Sequence, residues 1–406
     1  MASPDLTPDA KGRLHEYLDQ IGQILNNKCR RASFAMYAFG LFGDGERKSA
    51  EPIAARACPD PDEVEAVHYR LLHFLRGSQW EDAPVRGFAA HYAVEAMQAH
   101  APIETWIVDD TGFLKKGDKS PGVQRQYTGS AGKVTNCQIG VSLSLANGHL
   151  QVPVDWRLYI PESWANDRKR CAKAHIPSEV GYEPKWRLAL DMIESAVAAE
   201  LPRGVVVADA DYGNKTPFRD SLDDLGLVYA VGIHETTNVR VVRGKARRRL
   251  GPVQSVLEVA FDLPESGFRR VTWADGTKAK LSSKFAVIRV EVAHGDERQR
   301  PEQWLIIEWP DGEHKPTKYA LSTMPRSTSR IQLVRTVKER WRTERVYEDL
   351  KGQLGLDHYE GRSFVGWHHH VTVALCCYAF VVAEHSRSFS PSAAGARSLG
   401  SIPHAA

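Results

Sequence analysis

Three acidic residues far apart in the chain, Asp109, Asp209 and Glu344, fall where carboxylates can converge. Asp109 follows the short β-rich run Trp106-Ile107-Val108, which the sequence predicts to stop at Asp109-Asp110. Asp209 follows Val205-Val206-Val207-Ala208, a run of small apolar residues suited to a buried central strand. In an open α/β sheet, ligands collect beyond the strand ends, so acids placed there can share one pocket. Either aspartate alone is equally an ordinary turn or helix-capping residue. Breaking and re-forming phosphodiester bonds needs an activated water or 3′-hydroxyl and a stabilised leaving oxygen. Two divalent ions roughly 3.5–4 Å apart supply both. Hard oxygen ligands suit Mg2+ or Mn2+, so two such ions are the expected cofactors, with Asp109 bridging and Asp209 and Glu344 completing the sites.

The segment that carries Glu344 predicts one long helix from Arg326 to Leu354. Ile331, Val334, Val337, Trp341, Tyr347 and Leu350 recur at three- and four-residue steps. On such a helix Arg340, Glu344 and Lys351 fall within about 40° of one another. An acid flanked by two cations fits a helix that approaches phosphates, the acid holding an ion while Arg340 and Lys351 grip the backbone. The same pattern also describes a solvated helix with i,i+4 ion pairs.

The elements around these residues describe a mixed α/β core. Asn136 to Leu145 and His149 to Leu158 read as strands joined by Ala146-Asn147-Gly148, a strong hairpin signal. A helix is expected at about Lys185 to Glu200, the strand at Val205 to Ala208, a helix at Thr216 to Leu225 and a strand at Val228 to Ile233. The first hundred residues read as helical, with Leu14, Leu18, Ile21 and Leu25 at helical spacing. Residues 235–325 read as an all-β block with a turn at Asp275-Gly276. The tail from 387 is rich in Ser, Ala and Gly and is expected to be disordered.

Composition excludes several classes. The chain of 406 residues is 42% hydrophobic and 25% charged, the balance of a globular protein. Its net charge of +3 is too small to identify a polyanionic partner by itself. Six cysteines lie scattered without a C-x-x-C pair, against a zinc site or a disulfide framework. No apolar leader is visible, and the longest apolar stretch, Val371 to Ala383, predicts a buried helix rather than a membrane span. His368-His369-His370 is not read as a metal site, because adjacent helical residues point about 100° apart. Basic residues at Arg240, Arg243, Lys245, Arg247, Arg248 and Arg249 form either a solvated loop or one that tracks phosphates. Lys115 and Lys116 follow the first acid closely.

Arg340-x-x-x-Glu344-x-x-x-x-x-x-Lys351 resembles the Y-x2-R-x3-E-x6-K signature of DDE transposases of bacterial insertion sequences, with Val337 where the signature has Tyr. IVDDTGFLKKG, QRQYTGSAGKVTNCQIGVSL, VVADADYGN and LKGQLGLDHYEGRSFVGWHHH, in this order, resemble the insertion-sequence 701 family in particular. The family pattern D-x-T favours Asp109 over Asp110, and D-x-x-Y/F favours Asp209 over Asp211. The resemblance implies a ribonuclease H-like mixed-sheet catalytic core at 101–234 and 326–386. A β-rich insertion at 235–325 interrupts it, after an N-terminal helical domain at 1–100 and before a tail at 387–406. It further implies metal-dependent cutting and joining at the terminal inverted repeats of an element and at target DNA. Arg340, Lys351, Lys115, Lys116, Arg247, Arg248 and Arg249 would contact that DNA. A homodimer or larger synaptic complex and a cytoplasmic, nucleoid-associated location are expected, with no membrane partner. A transposase-derived DNA-binding or regulatory protein without catalysis is the alternative.

Overall fold

The computed structural model describes residues 7–244, 249–275, 280–293, 298 and 300–388. The chain opens with helices α1 (Pro8–Leu25), α2 (Lys28–Phe42), α3 (Ala50–Ala57), α4 (Pro61–Leu72) and α5 (Asp82–Gln98). Strands β1 (Thr105–Leu114), β2 (Gln124–Thr128), β3 (Lys133–Ala146) and β4 (Gln151–Leu158) follow, then α6 (Glu162–Ala165), α7 (Arg168–Lys173) and α8 (Lys185–Ala198). Next come β5 (Val205–Ala208), α9 (Ala210–Gly213), α10 (Thr216–Asp224) and β6 (Tyr229–Ile233). The β-rich stretch holds β7 (Asn238–Arg243), β8 (Arg249–Ser255), α11 (Val256–Asp262), β9 (Arg269–Asp275), β10 (Lys280–Val292), β11 (Gln303–Trp309) and β12 (Lys318–Ser322). Helices α12 (Arg330–Lys338), α13 (Arg342–Leu354) and α14 (Phe364–Ser388) close the described chain. Gly276, Lys245, Arg247, Arg248 and the tail beyond Ser388 lie outside the described residues.

These elements form two compact units. One contains the chain up to 103, then 110–201 and everything from 342 on. Its apolar spine is α14, buried along most of its length. Tyr17 of α1 donates its hydroxyl to the Cys376 carbonyl at 2.9 Å, and Tyr37 of α2 meets His370 Nδ1 at 2.9 Å. By length and composition α14 could cross a membrane, yet 78% of its most apolar window is buried inside the protein. In the same unit β3 pairs antiparallel with β2 through Lys133–Cys137 and with β4 through Gly140–Ala146. The turn between β3 and β4 forms as expected. Gly148 takes φ +77, where a side chain would be strained, and Asn147 Oδ1 accepts from the backbone N–H groups of His149 and Leu150. Strand β2 escaped the sequence reading because Gln124-Arg125-Gln126-Tyr127-Thr128 is polar and short.

The other unit contains 104–109 and 202–341. Its strands run β1-β5-β6-β12-β11-β10-β7-β8, with β9 on β10. The β1–β5 and β5–β6 pairs are parallel and the rest are antiparallel. Strand alternation divides the apolar residues between two faces. Leu305, Ile307 and Leu321 pack under α11 residues Val256 and Val259, while Ile306 and Ala320 pack under Leu333 and Val334 of α12. Each fully buried Leu or Ile contributes roughly 2 kcal/mol by removal from water.

Two local expectations are corrected. Strand β1 does not stop at Asp109 but continues to Leu114. The long helix is broken: α12 ends at Lys338, a 3-10 turn spans Glu339–Trp341, and α13 begins at Arg342. Arg340 therefore does not share a continuous helical face with Glu344 and Lys351.

Candidate active site

Strands β1 and β5 pair in parallel with Thr105 opposite Val205, Trp106 opposite Val206 and Ile107 opposite Val207. Two residues beyond the last of these pairs come Asp109, still within β1, and Asp209, just past the end of β5. Paired parallel strands lie about 4.8 Å apart along the hydrogen-bonding direction, so the two backbones that lead into the acids run as neighbours. The Trp106 indole, donating to the Pro202 carbonyl at 2.8 Å, helps fix that register.

Each aspartate is held by a different device. Asp109 is only 7% exposed, and its Oδ2 receives Arg340 Nη1 at 2.8 Å. The Glu339–Trp341 turn that supplies Arg340 is anchored just upstream, where Lys338 donates to both carboxylate oxygens of Glu308 at 2.7 and 2.6 Å and lies over the Trp273 ring. Asp209 leaves β5 and becomes the N-cap of α9, its Oδ1 accepting from the Asp211 N–H at 2.9 Å. That tight turn needs a bare neighbour on β6. A Cβ at Gly232 would sit 2.8 Å from Ala210 N and 3.0 Å from the Asp209 carbonyl carbon.

The neighbouring acids separate cleanly. Asp110 is the next residue on the same strand and so points to the opposite face, where Lys185 Nζ pairs with it at 3.0 Å. Asp211 is exposed on α9.

Glu344 lies in the first turn of α13, in the unit that does not hold Asp109 and Asp209. Its side chain is exposed while Thr343, Val346 and Tyr347 are buried. Side chains along the helix fix it within its unit. Gln151 Nε2 donates to Thr343 Oγ1 at 2.8 Å, and Tyr347 shares a 2.7 Å hydrogen bond with Ser142 Oγ. Arg342 reaches the carbonyls of Gly148 and His149. Lys48 is 6% exposed and donates its ammonium to the Leu41 and Gln353 carbonyls near the C-terminal ends of α2 and α13. Nothing around a lone lysine in Gly-Glu-Arg-Lys-Ser marks it for that task.

Several cations expected on DNA are turned inward. Lys351 Nζ donates to Thr111 Oγ1 at 2.8 Å and the Gly112 carbonyl at 2.9 Å, and Lys115 Nζ donates to the Tyr359 carbonyl at 2.7 Å. Burial pulls both ammonium groups below the usual lysine range. Lys116 and Arg249 are exposed.

Carboxylates at the ends of neighbouring strands are hard-oxygen donors of the kind that fit Mg2+ or Mn2+, ions that keep water and substrate phosphate for their remaining positions. Among the described residues no three His, Cys, Asp or Glu side chains form a group able to hold an ion. The fit therefore rests on the aspartate pair.

Comparison with known proteins points the same way. Residues 20–280 match the family described as DDE superfamily endonuclease, and residues 182–380 match the transposase DDE domain. Over 211 residues the chain is 26% identical to a probable transposase for insertion sequence element IS701 from Microchaete diplosiphon, a match that covers 52% of this chain. The chain spans about half the length of that curated relative, 50%.

Proposed function

Because the chain belongs to the DDE superfamily of endonucleases, we propose that it is a DNA transposase. It cuts phosphodiester bonds at the ends of an insertion sequence and joins the freed 3′-ends to target DNA. The observation that supports this reading is that Asp109 and Asp209 follow the paired run of neighbouring parallel strands β1 and β5.

Asp109, Asp209 and Glu344 would hold two Mg2+ or Mn2+ ions. When bound, these supply the Lewis acidity that lowers the pKa of the attacking water or 3′-hydroxyl and stabilises the leaving oxygen. The protein's own groups do the rest. Arg340 neutralises the buried Asp109 and keeps its carboxylate oriented. The Asp209 cap on α9 fixes the second carboxylate against β6. The bonds along α13 hold Glu344 in one orientation relative to β3 and β4. The partners are double-stranded DNA, as terminal inverted repeats and target, and a second copy of the chain in a synaptic complex. The protein works on the nucleoid in the cytoplasm.

The test is a nicking assay on duplexes that carry the inverted repeats flanking the gene, with Mg2+ or Mn2+. Asp109→Ala, Asp209→Ala and Glu344→Ala should each abolish cutting while duplex binding persists. Normal cutting by Glu344→Ala would remove that residue from the triad. Binding without cutting by the parent protein would make the chain a transposase-derived DNA-binding protein instead.

A further inference from the structure

The ammonium of Lys338 stands in a box built by three strands, just before the turn that carries Arg340. Glu308 on β11 accepts from it with both carboxylate oxygens, at 2.7 and 2.6 Å. The Trp273 ring centre lies 4.3 Å from the nitrogen and the Phe285 ring centre 5.6 Å. Strand register explains the convergence. Phe285 on β10 pairs opposite Glu308, so their side chains share one face of the sheet. On β9, Ala274 pairs with Leu281 and Thr272 with Ser282, which leaves Trp273 as the extra residue of a bulge. A bulge re-aims a side chain, and here the Trp273 ring meets Phe285 at 89° with centres 5.8 Å apart. Around the box lies the layer in which Ile306 and Ala320 pack on Leu333 and Val334.

Stability does not account for this pair. The Lys338 and Glu308 side chains are only 15% and 9% exposed. Taking two such charges out of water costs about as much as their attraction returns, so apolar residues of similar volume would hold the layer equally well. What apolar side chains lack is direction. A two-point ion pair between ring faces fixes the ammonium at one spot, and with it the end of α12. Helix α12 ends at Lys338, the Glu339 N–H closes it on the Arg335 and Thr336 carbonyls, and Arg340 follows directly. From there Arg340 reaches Asp109 Oδ2 at 2.8 Å.

We propose that Lys338 and Glu308, with Trp273 as their wall, are positioning residues that set the helix break and thereby aim Arg340 at Asp109. They touch no reacting atom and act through Arg340. This role rests on the transposase reading and gives β9, β10 and β11 a part in it. A misplacement of about 1 Å far from the chemistry costs on the order of 100-fold in rate. A pair that is neutral for stability is then decisive for cutting.

The experiment replaces the ion pair by an apolar one in the full chain and reads thermal midpoint, nicking and amide exchange. Lys338→Met/Glu308→Leu should keep a midpoint at or above that of the parent, while Mg2+-dependent nicking of the element-end duplex falls about 10- to 100-fold. Hydrogen exchange across 339–342 should speed about tenfold or more, with β11 unchanged. Adding Arg340→Gln to that variant should lower nicking no further than Arg340→Gln alone, because the pair acts through Arg340. Should the double variant not fold, Glu308→Gln, which keeps the volume and one acceptor, carries the same test with smaller changes. Parent-like nicking in a folded variant would overturn the proposal. So would losses that multiply with those of Arg340→Gln, or unchanged exchange across 339–342. If the parent itself does not nick, the transposase reading falls, while the exchange measurement still decides whether the pair holds the turn.

Discussion

The aspartates at the ends of the β1–β5 pair and the histidine run on α14 both gather residues of the metal-binding kind, yet their partners differ in type. The histidine rings are committed to the fold. His369 lies between the Leu75 and Trp80 carbonyls at 2.7 and 2.9 Å, stacked on the Trp80 ring. His370 lies between the Tyr37 hydroxyl and the Leu356 carbonyl, and His368 meets the Phe364 carbonyl. Asp109, by contrast, meets a guanidinium, and Asp209 accepts a backbone N–H of its own turn. Neutral carbonyl partners lock a ring into a core, whereas a carboxylate meets cationic or N–H partners that balance its charge. Partner chemistry, more than residue type, separates a packing cluster from a candidate centre.

The largest effect should separate the two faces of β1. Asp109→Asn or Asp209→Asn should lower Mg2+-dependent nicking by about 10³-fold or more, because several kcal/mol of charge stabilisation depend on these ligands. Asp110→Asn, on the opposite face, should stay within about twofold. Equal losses from Asp109→Asn and Asp110→Asn would dissolve the distinction. At the histidine run, His370→Ala should cost about 3 kcal/mol in urea unfolding, from the cavity and from the abandoned Tyr37 hydroxyl. A stability loss under 1 kcal/mol would show that the ring is not part of the packed core.

The next prediction concerns pH. Burial lowers the His370 imidazole to about 4, below its ordinary 6.5. The unfolded chain therefore takes up the proton first. Stability from this residue is complete above pH about 6.5 and is lost as the pH falls toward about 4, on the order of 2–3 kcal/mol. His370→Gln, which cannot titrate, should flatten that part of the stability curve. An unchanged slope would sink the assignment. Smallest is Arg340→Gln, which takes a charged hydrogen bond from the buried Asp109 carboxylate at a cost of about 2 kcal/mol. Added Mg2+ should recover part of that loss in a thermal melt if the ion and the guanidinium neutralise the same acid. No recovery would count against an ion at Asp109.

Much of this was legible from residue order. Val205 to Ala208 declared a buried strand and Asn147-Gly148 a hairpin. What stayed hidden depended on contacts between distant segments. Asp109-Asp110 reads as a terminator because aspartate disfavours strands, yet β1 continues through it with a salt-bridged partner for each acid, Arg340 and Lys185. The break at Glu339–Trp341 has no glycine or proline to announce it. Lys115 and Lys351 looked like phosphate contacts because a sequence shows the charge of a side chain and not which carbonyl it reaches.

The pairing of β1 with β5 also sets a limit on how this chain can vary. Removing or adding one residue between Thr105 and Val108 would advance the strand by one step. Addition would send Asp109 to Lys185 and leave Arg340 facing Val108, whereas removal would put Asp110 in the place of Asp109 and turn Asp109 to the opposite face. Length in this strand should therefore be intolerant of single-residue insertion or deletion, even where its apolar residues tolerate substitution for one another.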